Sequence, residues 1–246
     1  MKKLKAKLIG FATVVAFGIS IIFPMKSNAQ KDTTNTKNDK MKINISSSIV
    51  SDYVAKGYVL GKGPHKQDYV GINKNNFTTF FWSDYDFKDK YLREIDLGIK
   101  YSKKINDQLS SSLAFIYMNY PKGDDDKVLS FNLIRKGKIN SKLSLINFFK
   151  DKEIPNGILL EGELSKKIFG KNDFTMGAKI KGVCTNNFYG DYGFSNVTPG
   201  IDFRYSGKKL NFEGFMKYQF GFIPDPKMLP PAKNQFYAGV KFSKRF

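Results

Sequence analysis

The side chains that could do covalent or metal chemistry in this sequence are few and far apart. The chain has one histidine, His65, one cysteine, Cys184, and a run of three aspartates, Asp124–Asp126. A hydrolase would need a serine or cysteine beside a fixed histidine, and a zinc site would need a cluster of Cys and His ligands. His65 stands between a proline and a lysine and is predicted to be a solvated side chain in a loop. The sequence therefore predicts neither an enzyme nor a cofactor or metal site.

Two weaker features remain open. The carboxylates of Asp124–Asp126 could hold Ca²⁺ weakly, or they could form an acidic loop tip in water, which we favour. Because Cys184 is the only cysteine, it cannot form a disulfide within the chain. No disulfide within the chain can therefore stabilise the fold, which must come from the pattern of apolar and polar residues.

Most of the other charged side chains follow that pattern, since they alternate with apolar residues. Glu94 and Asp96, for example, alternate with Ile95 and Leu97. Successive side chains of a β-strand point to opposite faces, so each such segment has one apolar and one polar face. Polar faces turned inward would line a watery lumen with charges of both signs. The candidate pore-lining residues are Glu94, Asp96, Lys100, Glu161, Glu163, Lys179, Lys181, Asp202, Arg204, Glu213, Lys217 and Lys241.

Twelve segments with this alternation follow one another along the chain. We place them at 42–55, 67–74, 77–84, 92–102, 109–120, 128–136, 142–150, 157–165, 173–184, 196–206, 210–221 and 235–246. Bacterial outer-membrane barrels have an even number of strands. The predicted fold is an all-β, closed antiparallel up-and-down transmembrane β-barrel that forms one domain at 41–246. Twelve tilted strands would give a backbone diameter of about 24 Å.

The connections between these segments support the same fold. Those after even-numbered segments are short, whereas those after odd-numbered segments are mostly longer and richer in Gly, Pro, Asp and Tyr. Short periplasmic turns and longer external loops are typical of outer-membrane barrels. The longest external loop, Ile223–Asn234, contains four prolines and could fold inward to constrict or plug the lumen.

The first 40 residues have the pattern of an export signal followed by a polar tail. Four lysines precede an apolar stretch at 8–23, and small residues at 27–29 suit a signal peptidase. We expect a signal peptide at 1–29, cleavage after Ala29 and a flexible tail at 30–40. An uncleaved membrane anchor is the alternative, because residues 8–25 are nearly long enough to span a bilayer.

The net charge of the whole chain is +19, and five of its lysines lie in the predicted signal, which leaves +14 on the exported chain. Strong basic charge can indicate a nucleic-acid-binding protein. An exported chain does not normally meet nucleic acid, so no nucleic-acid partner is expected. Anionic lipid or anionic solutes are the partners that this charge favours.

The last segment, 235–246, alternates along its length except at Lys244. Its apolar face includes Val240, Phe242 and Phe246, and its other face is polar. A final strand that ends on an aromatic residue is typical of outer-membrane barrels, in which it pairs with the first strand. We therefore predict that Val240, Phe242 and Phe246 form a signal for the barrel-assembly machinery.

Three stretches resemble one family in the order in which they occur. Ser51–Gly57 is similar to the Ser-x-Tyr-Val-aromatic-Arg-Gly opening of the TorF-type (Gcw-CHP) porin family, although Ala55 and Lys56 depart from that pattern. Trp82–Phe87 resembles the family's Trp-x-Ser-Asn segment, and Glu94–Tyr101 resembles its Glu-Ile-Asp-Leu strand. The resemblance covers about the first third of the exported chain. It implies an outer-membrane β-barrel of porin type, and it implies no particular ligand.

Together these patterns predict an outer-membrane barrel that acts as a passive channel for small hydrophilic solutes. One alternative is a non-conducting barrel whose external loops bind a partner or surface ligand. Another is a soluble periplasmic binder, which would need its apolar faces turned inward. The lumen charges could either hydrate a pore with slight anion preference or pair across the lumen and block it. Oligomeric state does not follow from the sequence.

Overall fold

The computed structural model describes residues 41–55, 58–150, 157–188, 191–207, 210–222 and 234–246. The predicted signal peptide and polar tail lie outside the described residues. So does almost all of the Pro-rich segment Ile223–Asn234. Within the described ranges, no helix is long and apolar enough to cross a membrane.

Twelve β-strands form the whole of the described fold, which confirms the predicted count. Each arises from a segment in which apolar and polar side chains alternate, because that period places the two kinds on opposite faces of a strand. In chain order the strands are β1 Lys42–Ala55, β2 Tyr58–Lys74, β3 Phe77–Asp86, β4 Tyr91–Lys104, β5 Leu109–Asn119, β6 Asp126–Arg135, β7 Asn140–Lys150, β8 Gly157–Lys171, β9 Phe174–Phe188, β10 Asp191–Ser206, β11 Asn211–Gly221 and β12 Gln235–Arg245.

The sheet closes on itself as an antiparallel barrel in which every strand pairs with its neighbours in sequence. The closing seam joins β1 to β12, with Asn44 opposite Arg245 and Val50 opposite Gly239. Arg245 Nε also donates a hydrogen bond of 2.9 Å to Asn44 Oδ1 across that seam. Because no strand is left at an edge, all central backbone donors and acceptors of the sheet can be paired, as a membrane interior requires.

The apolar side chains lie on the outside of the barrel. Leu145, Ile180 and Phe242 are typical of them, with 48 %, 47 % and 46 % of their surface exposed. More than thirty large apolar side chains of the described residues are exposed in the same way. A water-soluble barrel would turn these faces inward, so the structure excludes the soluble periplasmic binder.

The barrel has two unlike ends. The connections β2–β3, β4–β5, β6–β7, β8–β9 and β10–β11 lie at the same end as the start of β1 and the finish of β12, and we call this the turn end. Asn75 and Asn172 have φ angles of 53° and 50° there, a left-handed conformation that asparagine tolerates in tight turns. We call the opposite end, which carries the other six connections, the loop end.

The predicted loop at 56–66 is wrong, because β2 begins at Tyr58 rather than at residue 67. β1 and β2 form one long hairpin that pairs as far as Ala55 opposite Tyr58. The glycines and proline at 61–64 favour a loop in the sequence, but pairing with β1 and packing in the lumen hold them in a strand. β9 and β10 likewise extend into the predicted loop at 185–195.

One charged pair interrupts the apolar outer face. Lys66 Nζ lies 2.8 Å from Asp68 Oδ2, and Lys66 is paired with Ile49, whose side chain is 50 % exposed on the outside. Residues paired across antiparallel strands share a face, so the pair points outward. Ser47 and Ser83 flank Asp68 on the two neighbouring strands. We call this small polar area the β1–β3 notch.

Candidate functional site: the barrel lumen

The structure places all twelve candidate pore-lining residues on the inward face of the barrel. Seven of them line one cavity in the lumen: Lys179, Lys181, Asp202, Arg204, Glu213, Lys217 and Lys241. The other five follow from strand pairing, since paired residues share a face. Glu163 pairs with Lys181, and Asp96 pairs with the cavity residue Trp82. Glu94, Lys100 and Glu161 lie at even spacing from these two on the same strands.

The cavity occupies the half of the lumen nearest the turn end and has a volume of about 820 Å³. Its two walls differ in chemistry. The wall formed by β8–β12 carries the lysines, the arginine and most of the carboxylates. The wall formed by β1–β3 is mostly neutral and includes Ser46, Ser48, Gln67, Tyr69 and Trp82. In a ring of twelve strands, β2 and β3 lie opposite β8 and β9.

The ion pairs of the charged wall run between neighbouring strands. Lys179 Nζ lies 2.7 Å from Asp202 Oδ2, on β9 and β10. Arg204 Nη2 lies 2.9 Å from Glu213 Oε1, on β10 and β11. Lys181–Glu161 at 3.6 Å and Lys241–Glu213 at 3.7 Å follow the same rule. Among the described residues, these lumen charges pair along one wall rather than across the lumen. They therefore leave the cavity open between the walls.

The half of the lumen nearest the loop end contains instead an apolar cluster, beside buried polar side chains such as Asp126, Asn196 and Gln219. The buried members of the cluster are Tyr58 from β2 and Met118, Val128, Phe148, Leu159 and Val183 from β5–β9. In the sheet β2 neighbours only β1 and β3, so Tyr58 can join the others only by crossing the lumen. The described arms of the β1–β2 hairpin therefore fold inward over the loop end. We call residues 52–55 and 58–62 the inward hairpin.

Two irregularities let this hairpin bend. The pairing of β1 with β2 shifts between Val50 and Asp52 and again between Tyr53 and Val54, and such bulges bend and twist a strand pair. Gly63 has a φ of +101°, which a residue with a side chain rarely adopts. Its backbone N–H donates a 3.0 Å hydrogen bond to Asp52 Oδ1. This contact holds the base of the bend.

A largely buried polar cluster joins the inward hairpin to β4 and the adjoining part of β2 to β3. The Tyr53 hydroxyl donates a 2.5 Å hydrogen bond to Glu94 Oε2. His65 Nδ1 lies 2.8 Å from Asp84 Oδ2, and His65 Nε2 lies 3.8 Å from Asp86 Oδ2. Arg93 Nη1 lies 3.6 Å from the same Asp86 oxygen. We call these six side chains the latch.

The prediction that His65 is a solvated loop residue is therefore wrong. Its side chain is fully buried and belongs to β2. Burying a polar group is costly unless it is hydrogen-bonded, and Asp84 supplies the bond that makes this position tolerable. The signal available in the sequence was the pair Asp84 and Asp86, whose spacing of two places both carboxylates on one face of a strand.

The aspartate run also departs from the favoured solvated loop tip. Asp126 is the first residue of β6 and is buried. Asp125 accepts hydrogen bonds from the Tyr117 hydroxyl and from Asn119 Nδ2 at 2.5 and 2.6 Å. Within the described part of the chain, no group of three or more His, Cys, Asp or Glu side chains is arranged to hold a metal ion.

The three residues of the predicted assembly signal lie on β12 and at its end. Phe242 and Phe246 are exposed on the outside of the barrel. Val240 pairs with the outward residue Ile49 and so shares that face. The ring of Phe242 packs against that of Phe212 with 5.4 Å between centroids. Their role in assembly stays a prediction.

Comparison with solved structures places the fold among porin-like outer-membrane barrels. The NanC porin superposes with a TM-score of 0.55 at 11% identity, covering 82% of this chain and 98% of that chain. The KdgM porin gives a TM-score of 0.55 at 11% identity, with coverages of 83% and 99%. The chain has the fold of a twelve-stranded outer-membrane barrel.

The likeness extends beyond porins. LpxR from Salmonella typhimurium superposes with a TM-score of 0.52 at 6% identity, covering 82% of this chain and 99% of that chain. At such low identities the comparisons show the fold alone. No family model matches the chain, and no curated protein has a significantly similar sequence. The resemblance to the TorF-type family therefore stays a prediction.

Proposed function

We propose that this protein is an outer-membrane channel for small hydrophilic solutes and that the inward hairpin is its closed gate. The observation that carries the proposal is a polar, charged cavity of about 820 Å³ inside a barrel whose outer face is apolar. Charged inward faces of this kind suit an aqueous path through the membrane. The turn end would face the periplasm, and the loop end would face the outside.

The gate follows from what fills the loop end. An apolar cluster excludes water and ions from a pore, so a solute can pass only after Tyr58 and its partners separate. Within the latch, the Tyr53–Glu94 hydrogen bond joins the same hairpin to β4, and no covalent bond fixes it. Such contacts can break and reform, and the bulges at its base provide a place for the hairpin to bend. The sequence predicted a passive channel that the Pro-rich loop Ile223–Asn234 could constrict or plug, and we propose a channel gated by the inward hairpin.

The same observation favours a second candidate, a barrel that does not conduct and displays its external loops to a partner. If the apolar cluster never opens, the inward hairpin is a permanent plug and the charged cavity is a blind vestibule. The two candidates share the fold, the outer-membrane location and the lipid contact. They differ only in whether ions cross the protein.

Conductance in planar lipid bilayers distinguishes the two candidates. We expect brief, infrequent openings from the purified wild-type protein. We expect Tyr58→Ala to be open much more of the time, because it removes the side chain that joins the hairpin to the opposite wall. Tyr205→Ala is the control, since Tyr205 is exposed on the outer face. Both variants should keep heat-modifiable migration on detergent gels, the sign of a folded barrel.

Two results would settle the matter the other way. If folded wild-type protein and folded Tyr58→Ala never conduct, the channel is excluded and the non-conducting barrel stands. If the wild type conducts continuously and Tyr58→Ala changes nothing, a channel exists but the hairpin is not its gate.

We also propose that the signal peptide is cleaved after Ala29 and that the chain contacts the barrel-assembly machinery during insertion. Mass spectrometry of the outer-membrane form should then give a chain that begins at Gln30.

One similar structure bears on the solute. It is the KdgM porin in complex with disordered oligogalacturonate, with a TM-score of 0.55 at 12% identity. That complex supports a role of this barrel shape in contact with small hydrophilic solutes. The choice of solute by this chain must come from its own lumen residues.

A further inference from the structure

The lumen cavity has an excess of positive charge that strand pairing does not neutralise. Seven of its lining residues are cationic and three are anionic. Four of the cations have a carboxylate within 4.0 Å, as described above. The remaining three, Lys166, Lys167 and Lys217, have no carboxylate of the described residues within that distance. Cations therefore outnumber carboxylates among the residues that line the cavity.

Lys217 is the most informative of these three because it lies inside the barrel rather than at its rim. Its Nζ lies over the ring of Phe215, 4.2 Å from the centroid, and 5.7 Å from that of Tyr237. A Cβ at Gly200 would lie 2.8 Å from Lys217 Cγ, so this glycine makes room for the lysine stem. The chain thus accommodates a charged ammonium group within the lumen without giving it a carboxylate.

The opposite wall can complete a site for an anion. Ser46, Ser48 and Gln67 offer hydroxyl and amide donors, and among the described residues Asp52 is the one acid of this wall that lines the cavity. An anion between the walls would meet ammonium groups on one side and neutral donors on the other. The field of a low-dielectric cavity lined by one excess sign concentrates ions of the opposite sign.

We propose that this cavity is a binding vestibule for small anionic solutes, with Lys217 as its central ligand and with Lys179 and Lys181 beside it on β9. The inference rests on the proposed channel, since it names the class of solute that such a channel would carry. It also makes a claim that does not depend on conduction, because ions can enter a vestibule whose far end is shut.

The only tryptophan of the chain, Trp82, lines this cavity and reports on the ions within it. We would measure quenching of its fluorescence in the detergent-solubilised, folded protein at low ionic strength. The three quenchers are iodide, which is anionic, caesium, which is cationic, and acrylamide, which is neutral. We expect the iodide quenching constant to exceed the caesium constant by more than about tenfold, once each is normalised to free tryptophan. Salt should reduce the difference.

Variants at Lys217 identify the source of the preference. Lys217→Gln should lower the iodide constant by about threefold and leave the acrylamide constant unchanged, because it removes charge and little volume. Lys217→Arg keeps the charge and should retain the wild-type preference. Lys104→Gln is a second control, since that lysine lies in an exposed ion pair with Asp107 near the turn end, away from the residues that line the cavity.

The inference is overturned if iodide and caesium quench Trp82 equally, or if Lys217→Gln behaves like the wild type. It is also overturned if acrylamide fails to quench, since the cavity would then be closed to solutes of any charge. An iodide preference in a protein that never conducts would sustain the anion vestibule and exclude the channel. Conductance without an iodide preference would sustain the channel and exclude the vestibule.

Discussion

Gly61 shows how closely the inward hairpin lies on the latch. A Cβ at this position would be 2.4 Å from His65 Nε2 and 3.1 Å from Arg93 Nη1. The imidazole cannot swing away, because it is fully buried and held by Asp84. Only a residue without a side chain lets the hairpin backbone rest on the imidazole ring.

We therefore expect Gly61→Ala to displace the hairpin from its closed position. Overpacking of this kind costs about 1–3 kcal/mol, which corresponds to about five- to 150-fold faster hydrogen exchange in a peptide that covers the hairpin. Gly162→Ala is the matched control, because a Cβ there meets no atom within 4 Å. Equal exchange in the two variants would show that the hairpin does not rest on His65.

The hydrogen bond from Tyr53 to Glu94 makes a separate prediction. Tyr53→Phe keeps the ring, whose centroid lies 5.8 Å from that of Trp82, and removes only the hydroxyl. Hydrogen bonds to charged groups contribute about 1.5–3 kcal/mol, so closed times in bilayer recordings should shorten by about tenfold or more. Tyr205→Phe, on the outer face, should have no effect. Unchanged closed times in Tyr53→Phe would mean that the latch does not hold the gate.

At the residue scale, alternation within strands was enough to predict which charges face inward, and it failed for the side-chain partners on neighbouring strands. Glu213 and Lys217 follow from their spacing on one strand. The partners of His65 could not be predicted in that way, since Asp84 and Asp86 belong to another strand and the bend of the hairpin depends on bulges. A bulge shifts the register by one residue and has no clear sequence signature.

Among the strands, β2 carries the clearest exception to the apolar outer face, the β1–β3 notch. Lys66 and Asp68 would face hydrocarbon there, and a lone charge in that setting costs more than a pair. We expect Lys66→Met alone to lower the free energy of unfolding in lipid vesicles by about 1–3 kcal/mol. The double variant Lys66→Met, Asp68→Leu should recover most of that loss.

The control for the Lys66→Met variants is Lys104→Met, which breaks the exposed Lys104–Asp107 ion pair near the turn end. Exposed pairs contribute about 0–1 kcal/mol, so this change should be nearly neutral. If Lys66→Met is equally neutral, the notch lies in water, and the membrane covers less of β2 than the apolar faces of its neighbours indicate.

Strand bounds were predictable wherever the alternation was unbroken. β4 was predicted at 92–102 and spans Tyr91–Lys104. β2 was predicted nine residues too short, because Gly61, Gly63 and Pro64 usually mark a turn, whereas pairing with β1 and packing in the lumen hold them in a strand. Local pattern decided the first case, and tertiary packing decided the second.

For the molecule as a whole, the main claim is that the outer face contacts lipid and the inner face contacts water. Ile180 points outward, whereas Ser165 lines the cavity. Ile180→Lys should lower the free energy of unfolding in lipid vesicles by about 2–4 kcal/mol, the cost of a lysine near the bilayer centre. Ser165→Lys should cost less than about 1 kcal/mol, because its ammonium group reaches water in the lumen. Equal losses in the two variants would contradict this orientation.

The seam between β1 and β12 has a consequence for how the barrel is made. The ribosome produces β1 first and its partner last, with ten strands in between. Until β12 is synthesised, β1 and β11 each have an edge of unpaired backbone N–H and C=O groups, which can pair with other chains. Pairings between such distant segments also form slowly. The unfolded chain must therefore be kept from associating with other chains until β12 pairs with β1. A truncated chain that lacks β12 would aggregate rather than form a smaller barrel.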